Sequence, residues 1–385
     1  MKANELKELL KGGALNKYAN LYANVPAQTE RFIAAIDSFT ALYGDDKDIS
    51  IFSVPGRSEI SGNHTDHNKG CVLAGAIDRD IIAVAAPNED GVIRIKSEGY
   101  PKTTIDLSKI DDPDNFENYT SDALIAGLAK CLENNDFAIG GYDAYLTTEV
   151  LKGSGISSSA AFEVMIGNIL NYMYNDGKID NAEIAKYSQW AENVYFGKPC
   201  GLMDQMACAV GGFVFIDFAD PKNPIVEPIS FSLTDAGYSL CIVNTGGNHA
   251  DLNDDYASVP FEMKAVAKVF GQEGLRGLTE CDLLSKATEI RETLGDRALL
   301  RAIHFIREND RVGVAKEALK ASDVAGFLAC VIKSGDSSFK FLQNVFTTIN
   351  VKEQGLSLAL AITEGFLSGK DCAWRVHGGG FAGTI

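Results

Sequence analysis

The chain has 385 residues, 46% of them hydrophobic and 23% charged, with a formal net charge of −17. That length exceeds one comfortable core and predicts two domains. The negative balance excludes the Lys- and Arg-rich surfaces that select nucleic acid or anionic membranes, so a phosphate ligand has to be held by backbone N–H groups, a few placed cations and a metal ion. Eight scattered cysteines without a CxxC pair exclude a disulfide framework and point to a reducing, cytoplasmic setting.

Met1-Lys2-Ala3-Asn4-Glu5 opens the sequence without the apolar stretch of a signal peptide, and no apolar run is long enough to span a bilayer. From Thr29 to Tyr43 the residues Phe32, Ile33, Ile36, Phe39 and Tyr43 recur at helical spacing behind Pro26. A strand is expected from Ile49 to Val54. Ile81–Ala86 and Val92–Lys96 read as strands paired around the turn at Asn88–Gly91. Asp143–Val150 is another strand, followed by a Gly/Ser loop and a helix from about Ser158 to Met173. Asn181–Tyr195 is helical, with Ile184, Tyr187, Trp190, Ala191 and Val194 on one face. The segment Asp217–Pro228 holds three prolines, and the domain boundary is expected there. Beyond it come a strand at Ser239–Val243 and helices at Val259–Phe270, Asp282–Leu294, Ala298–Glu308, Val314–Leu319 and Val351–Phe366. This order predicts two α+β domains, not a strictly alternating doubly wound sheet.

Four segments carry chemistry. In Gly153-Ser154-Gly155-Ile156-Ser157-Ser158-Ser159-Ala160-Ala161, glycines let N–H groups turn towards an anion at a helix N-terminus, and a hydroxyl there could ligate Mg²⁺. No Gly-Lys-Ser/Thr follows, so it is not a Walker A loop. The plainer reading is a Ser-capped helix start. Gly56 to Asn68 crowds Arg57, Asn63, His64, Asp66 and His67 behind a buried strand. That density of donors and acceptors suits a polyol pocket, although a polar surface loop would look similar; the spacing of His64 and His67 is too weak for a zinc claim. Asp204 lies in the apolar run Leu202-Met203-Asp204-Gln205-Met206-Ala207, where an acid is either paired with a cation or functional. Glu192, at the end of the preceding helix, could face the same cleft; a helix cap and a solvated charge are the ordinary alternatives. Finally, His377-Gly378-Gly379-Gly380-Phe381-Ala382-Gly383 permits close backbone approach, or a plain turn.

In order, these segments resemble the three motifs of the GHMP kinases, and most of all galactokinase. The signature G-R-x-N-L-I-G-E-H-T-D-Y-N-G-G corresponds to Gly56–Gly70, G-x-G-L-S-S-S-A to Gly153–Ala160, C-G-x-M-D-Q to Cys200–Gln205 and G-G-G-F-G-G to Gly378–Gly383. The resemblance implies a two-domain GHMP kinase fold. Residues 1–222 would form a ribosomal S5-like domain and 223–385 a ferredoxin-like, helix-rich domain cut short after its glycine motif, with the active site in the cleft between them. It implies ATP and Mg²⁺ as cofactors and phosphorylation of galactose at its anomeric hydroxyl. Gly153, Ser154, Gly155, Ile156, Ser157, Ser158 and Ser159 would wrap the phosphates, with Ser159 and Glu192 on the metal. Asp204 would accept or orient the hydroxyl proton, and Arg57 would keep Asp204 ionised and neutralise phosphoryl charge. Asn63, His64, Thr65, Asp66, Gly201 and Tyr256 would bind the sugar. Oligomerisation is not required.

Asn63 stands where the family carries Glu, His67 replaces Tyr, and the paired Arg residues after Tyr256 are absent. These departures keep an N-acetylhexosamine or arabinose kinase open, and more remotely a sugar sensor without catalysis. They also lead to the expectation that Asn63→Glu improves galactose use.

Overall fold

The computed structural model describes residues 1–150, 155–198, 200–246 and 252–385. Its strands are β1 (Ser50–Ser61), β2 (Cys71–Pro87), β3 (Val92–Ser97), β4 (Lys102–Asp106), β5 (Tyr142–Thr148), β6 (Phe213–Asp217) and β7 (Ile225–Ile229). Helices α1 (Ala3–Lys11), α2 (Val25–Tyr43), α3 (Ser121–Asn134), α4 (Ser158–Tyr174), α5 (Asn181–Ala191) and α6 (Met203–Val210) precede β6. Helices α7 (Asn253–Val269), α8 (Glu280–Ser285), α9 (Ala287–Leu294), α10 (Asp296–Lys320), α11 (Val324–Ser337) and α12 (Gly355–Leu367) follow β7. Among the described residues, one compact unit takes in 1–57, 76–150 and 156–210, and a second takes in 58–75, Gly155 and 211–385. The units are thus interleaved in sequence, whereas the expected boundary at 222/223 is a single cut.

In the first unit, β5 pairs antiparallel with β2 from Ile81↔Thr148 and parallel with β3 from Ile93↔Tyr142, and β3 pairs antiparallel with β4. The expected hairpin of Ile81–Ala86 with Val92–Lys96 is therefore corrected: β5 lies between them. Ile81–Ala86 is buried throughout, whereas Val92–Lys96 alternates buried Ile93 and Ile95 with half-buried Val92, Arg94 and Lys96, and it lies one strand further out in the sheet. Ile82, Val84 and Ala86 recur with the period of a strand and meet Phe32, Ala35, Ile36 and Phe39, which recur with the period of a helix along α2. Pro26 sits in the first turn of α2, where its missing N–H costs nothing.

In the second unit, Cys71–Gly75 pair antiparallel with β6, and β6 with β7. Phe213 and Phe215 of β6 pack on Val312, Ala315 and Leu319 of α10. Elsewhere along α10, Ala302 and Phe305 join Val259, Met263 and Val266 of α7. The two helices expected at 298–308 and 314–319 are one continuous α10, because apolar residues on both sides of Gly313 pack onto the unit. The helix expected over 282–294 divides at Lys286 into α8 and α9. The strand expected at 239–243 is reduced to a bridge between Asn244 and Thr384, with Val243 and Ile385 exchanging N–H···O bonds of 3.0 and 3.1 Å.

Candidate active site

The first unit brings Arg57, Ser157 and Asp204 together. Arg57 ends the part of β1 belonging to this unit, and its backbone N–H donates to the Ile156 carbonyl at 3.2 Å. A Cβ on Gly56 would lie 2.8 Å from that same oxygen, so glycine is what lets the strand approach the serine turn. Ser157 has φ of 61°, and its hydroxyl does not cap α4. It donates instead to Asp204 Oδ2 at 2.5 Å. Arg57 donates from Nε to Oδ1 and from Nη2 to Oδ2, both at 2.8 Å, a planar fork on the carboxylate. Burial opposes ionisation of Asp204, yet the Arg57 charge and hydrogen bonds and the Ser157 hydroxyl bring its pKa below the ordinary value. Its side chain remains 36% exposed, against 8% for Arg57. The acid is held in place and still reachable.

Behind it lies a cluster that is almost fully closed. Glu192 is the C-cap of α5, opening the π-helical turn Glu192–Phe196, and is 3% exposed. Its Oε1 accepts from Lys198 at 3.1 Å and its Oε2 from the Gln205 amide at 2.8 Å. The same amide nitrogen donates to Oε2 of Glu163, 3.0 Å away on α4 and only 1% exposed. Glu163 Oε1 and Gln205 Oε1 have no hydrogen-bond partner. Burial, then the charge of Glu192, push the Glu163 carboxyl well above its ordinary range. Lys198 is raised: burial works against its charge and Glu192 outweighs it.

Of the other expected phosphate and metal residues, Gly153 and Ser154 lie outside the described residues. Gly155 takes the left-handed φ of 75° that glycine permits. Ile156 is buried, while Ser158 is half-buried and Ser159 exposed in the first turn of α4. Gly201 is half-buried just before α6.

In the second unit Asn63, His64 and Tyr256, three of the expected sugar residues, meet the glycine loop. His64 Nε2 lies 2.9 Å from the Gly379 carbonyl. A carbonyl only accepts, so Nε2 carries the proton and Nδ1 presents a lone pair. Burial, then the neighbouring His67, lower the His64 pKa to about 4, keeping it neutral. Tyr256 donates to the Gly380 carbonyl at 2.6 Å and stacks edge-on against Phe381 at 5.3 Å. Gly379 is required beneath that ring, since a Cβ would come within 2.6 Å of Tyr256 Cε1. Asp66 is half-buried and accepts the His67 backbone N–H at 2.9 Å.

Asn63 and Thr65 are different. The Asn63 amide donates to Glu59 Oε1 (2.9 Å) and the Gly378 carbonyl (2.7 Å), and its oxygen accepts from Asn344 (2.6 Å) and Ser338 (3.2 Å). Two donors and two lone pairs exhaust a carboxamide. Asn63 is wholly buried and is used entirely by the protein. Thr65 is likewise buried, with its hydroxyl at 2.8 Å from the Gly62 carbonyl and 2.6 Å from that of Cys71. Asn63 has no donor or acceptor left for a sugar hydroxyl in this arrangement, and Thr65, its one hydrogen committed, is sealed from solvent.

Sequence reasoning missed Glu163, Gln205 and the network of Glu59, Glu308 and Arg375. Glu163 carried a signal that could have been used: it is a lone acid in Ala160-Ala161-Phe162-Glu163-Val164-Met165, the same anomaly that marked Asp204. Arg375 carried the same signal, as a lone cation in Cys372-Ala373-Trp374-Arg375-Val376, whereas Glu308 sits among Arg307, Asn309, Asp310 and Arg311 and carried none.

Residues 123–212 match the model of the GHMP kinases N terminal domain, and residues 37–87 match the galactokinase galactose-binding signature. A galactokinase of Actinobacillus pleuropneumoniae serotype 3 is 31% identical over 354 residues, covering 91% of this chain and 88% of its own. One from Streptomyces coelicolor is 30% identical over 90% of this chain and 86% of its own. Among solved structures, Lactococcus lactis galactokinase complexed with galactose superposes with a TM-score of 0.75 at 24% identity, covering 90% of this chain and 87% of that one. Methanococcus jannaschii mevalonate kinase gives 0.55 at 16% identity, covering 88% and 89%. The fold is that of the GHMP kinases, and the chain belongs to their galactokinase family. Among the described residues, no helix is long and apolar enough to cross a membrane.

Proposed function

We propose that this chain transfers the γ-phosphoryl group of ATP to the anomeric hydroxyl of galactose, giving galactose 1-phosphate and ADP. The observation that carries the reading is the Asp204 carboxylate, gripped by Arg57 and Ser157 yet still exposed. Phosphoryl transfer asks mainly for positioning and charge neutralisation. A carboxylate held below its ordinary pKa is a weak base, so Asp204 acts chiefly by accepting the hydroxyl's hydrogen bond and aligning its oxygen, and takes the proton as the P–O bond forms. Arg57 keeps Asp204 ionised and lends positive charge to the transferring group. His64 through Nδ1, Asp66, Gly201 and Tyr256 bind the sugar. Asn63 contributes by fixing the Gly378 carbonyl, and Thr65 by fixing the turn that carries His64.

The phosphates are bound by the segment from Gly153 to Ser159. A magnesium ion, when bound, would neutralise phosphate charge, and Ser159 with Glu192 would hold it. The residues fit that role. Their donors are hard oxygens, a hydroxyl and a carboxylate. Magnesium characteristically takes one or two protein carboxylates and completes its shell with phosphate and water.

A coupled ADP-release assay over galactose, N-acetylgalactosamine, arabinose and glucose tests the proposal. Galactose is expected to give the highest kcat/KM. A second reading, phosphorylation of another sugar, is favoured by Asn63, whose amide is neutral and fully engaged. Turnover of arabinose or an N-acetylhexosamine without turnover of galactose would establish it. Binding of ATP and sugar without product would leave only a sensor.

A further inference from the structure

The magnesium-facing role of Glu192 places no demand on Gln205 or Glu163, yet both are buried against it. The carboxamide nitrogen of Gln205 has two hydrogens. One goes to Glu192 Oε2 at 2.8 Å and the other to Glu163 Oε2 at 3.0 Å. Its longer approach to Cys200 Sγ, 3.7 Å, is a weak third contact. Lys198 holds the remaining Glu192 oxygen from a largely exposed position, its side chain being 56% exposed. The two holds therefore differ in kind. Lys198 is a flexible point charge that water competes for, whereas Gln205 is a planar donor in a closed interior. An interior amide–carboxylate bond fixes direction as well as distance.

We infer that Gln205 is a positioning residue: its forked amide, anchored on Glu163, orients the Glu192 carboxylate and thereby sets how tightly the enzyme's metal–nucleotide complex is held. Gln205 directly follows Asp204 in α6, so one turn of helix orients both the acid proposed to meet the sugar and the acid proposed to meet the metal. Glu163 serves through Oε2 as an acceptor for the Gln205 amide. Replacing it with glutamine keeps an acceptor oxygen at the position of Oε2, whereas leucine of similar volume removes it.

This inference rests on the proposal that Glu192 is a magnesium ligand, and the experiment separates the two. ADP affinity is measured by calorimetry on the full chain with Mg²⁺ and again with EDTA. The ratio of the two dissociation constants isolates the metal's contribution, and Mg²⁺ half-saturation of turnover at fixed ATP is read alongside. Gln205→Met and Glu163→Leu are expected to shrink the ratio and raise the half-saturation about tenfold, the lower end of what is lost when a metal ligand's hydrogen-bond partner is removed. KM for the sugar stays within twofold, and Glu163→Gln recovers most of what Glu163→Leu loses. If Glu163→Leu does not fold, Gln205→Met reads the same fork from its other end. A ratio unchanged in Gln205→Met, or equal losses in Glu163→Leu and Glu163→Gln, overturns the inference. A ratio unchanged in Glu192→Ala overturns the metal assignment beneath it, and the inference with it.

Discussion

Glu308 in the second unit and Glu163 in the first are both glutamates sealed from water, at 0% and 1% exposure, and they have opposite fates. Glu308 Oε1 accepts from the Ser61 hydroxyl (3.0 Å), the Gly62 N–H (2.9 Å) and the Ser334 hydroxyl (2.5 Å), and Arg311 bonds Oε2. Burial opposes its charge, but His304, Arg311 and Arg375 prevail and lower its pKa to about 2. Glu163 has one amide hydrogen for two oxygens and a like charge nearby, and its pKa rises. The charges and donors that face an interior acid, not burial alone, decide the direction of its shift. Glu308 in the second unit is matched internally and holds architecture together. In the first unit Asp204 and Glu192 are held in place by a few donors and remain suited to chemistry.

Removing a matched acid should damage stability most. Glu308→Ala strands Arg311 and three further donors and is expected to cost about 3–5 kcal/mol. A fall in denaturant midpoint without change in the residual enzyme's sugar KM would support this division, and an unshifted midpoint would break it. The reverse profile is expected for Asp204→Ala. Turnover should drop a hundredfold or more, of order 3 kcal/mol in the barrier, while the chain still folds and loses less denaturant midpoint than Glu308→Ala, since Asp204 is 36% exposed and water can reach the Arg57 it leaves. Substantial turnover would remove Asp204 from the reaction.

Asn63→Glu sharpens the contrast further, because the structure reverses the expectation taken from family resemblance. A carboxylate at 63 would face the Glu59 carboxylate and the Gly378 carbonyl, both acceptors, inside the second unit. It should lose about 1–3 kcal/mol of stability and galactose use together. Improved galactose turnover in a stable Asn63→Glu protein would show that residues 59 and 63 rearrange freely. The smallest effect is on pH dependence. Glu308, lowered in the fold, supplies stability above its unfolded pKa that is lost as pH falls from about 4.5 towards about 2. Glu163, raised in the fold, does the opposite: folding keeps its proton, so stability declines as pH rises above the unfolded value. Glu163→Gln should flatten the decline above that unfolded value, seen as a smaller change in urea midpoint as pH rises. An identical slope in parent and variant would mean Glu163 is ionised in the fold.

Much of this was legible in the sequence where local chemistry decides the outcome. Glycines at 155, 378 and 380 adopt positive φ, and Arg57, Ser157 and Asp204 come from segments that stood out as motifs. A turn that only glycine can make, or an acid alone in an apolar run, carries its signal within a few residues. Helix α2 was equally readable, since a single period matched a single buried face. What tertiary structure alone decided was pairing. Whether β2 meets β3 or β5, whether Ser157 caps its helix or grips Asp204, and whether Asn63 meets a sugar or Glu59 and Asn344 all depend on partners up to 281 positions away. Local propensity is summed over neighbours in the chain, but a buried donor takes whichever acceptor the completed fold brings within about 3 Å.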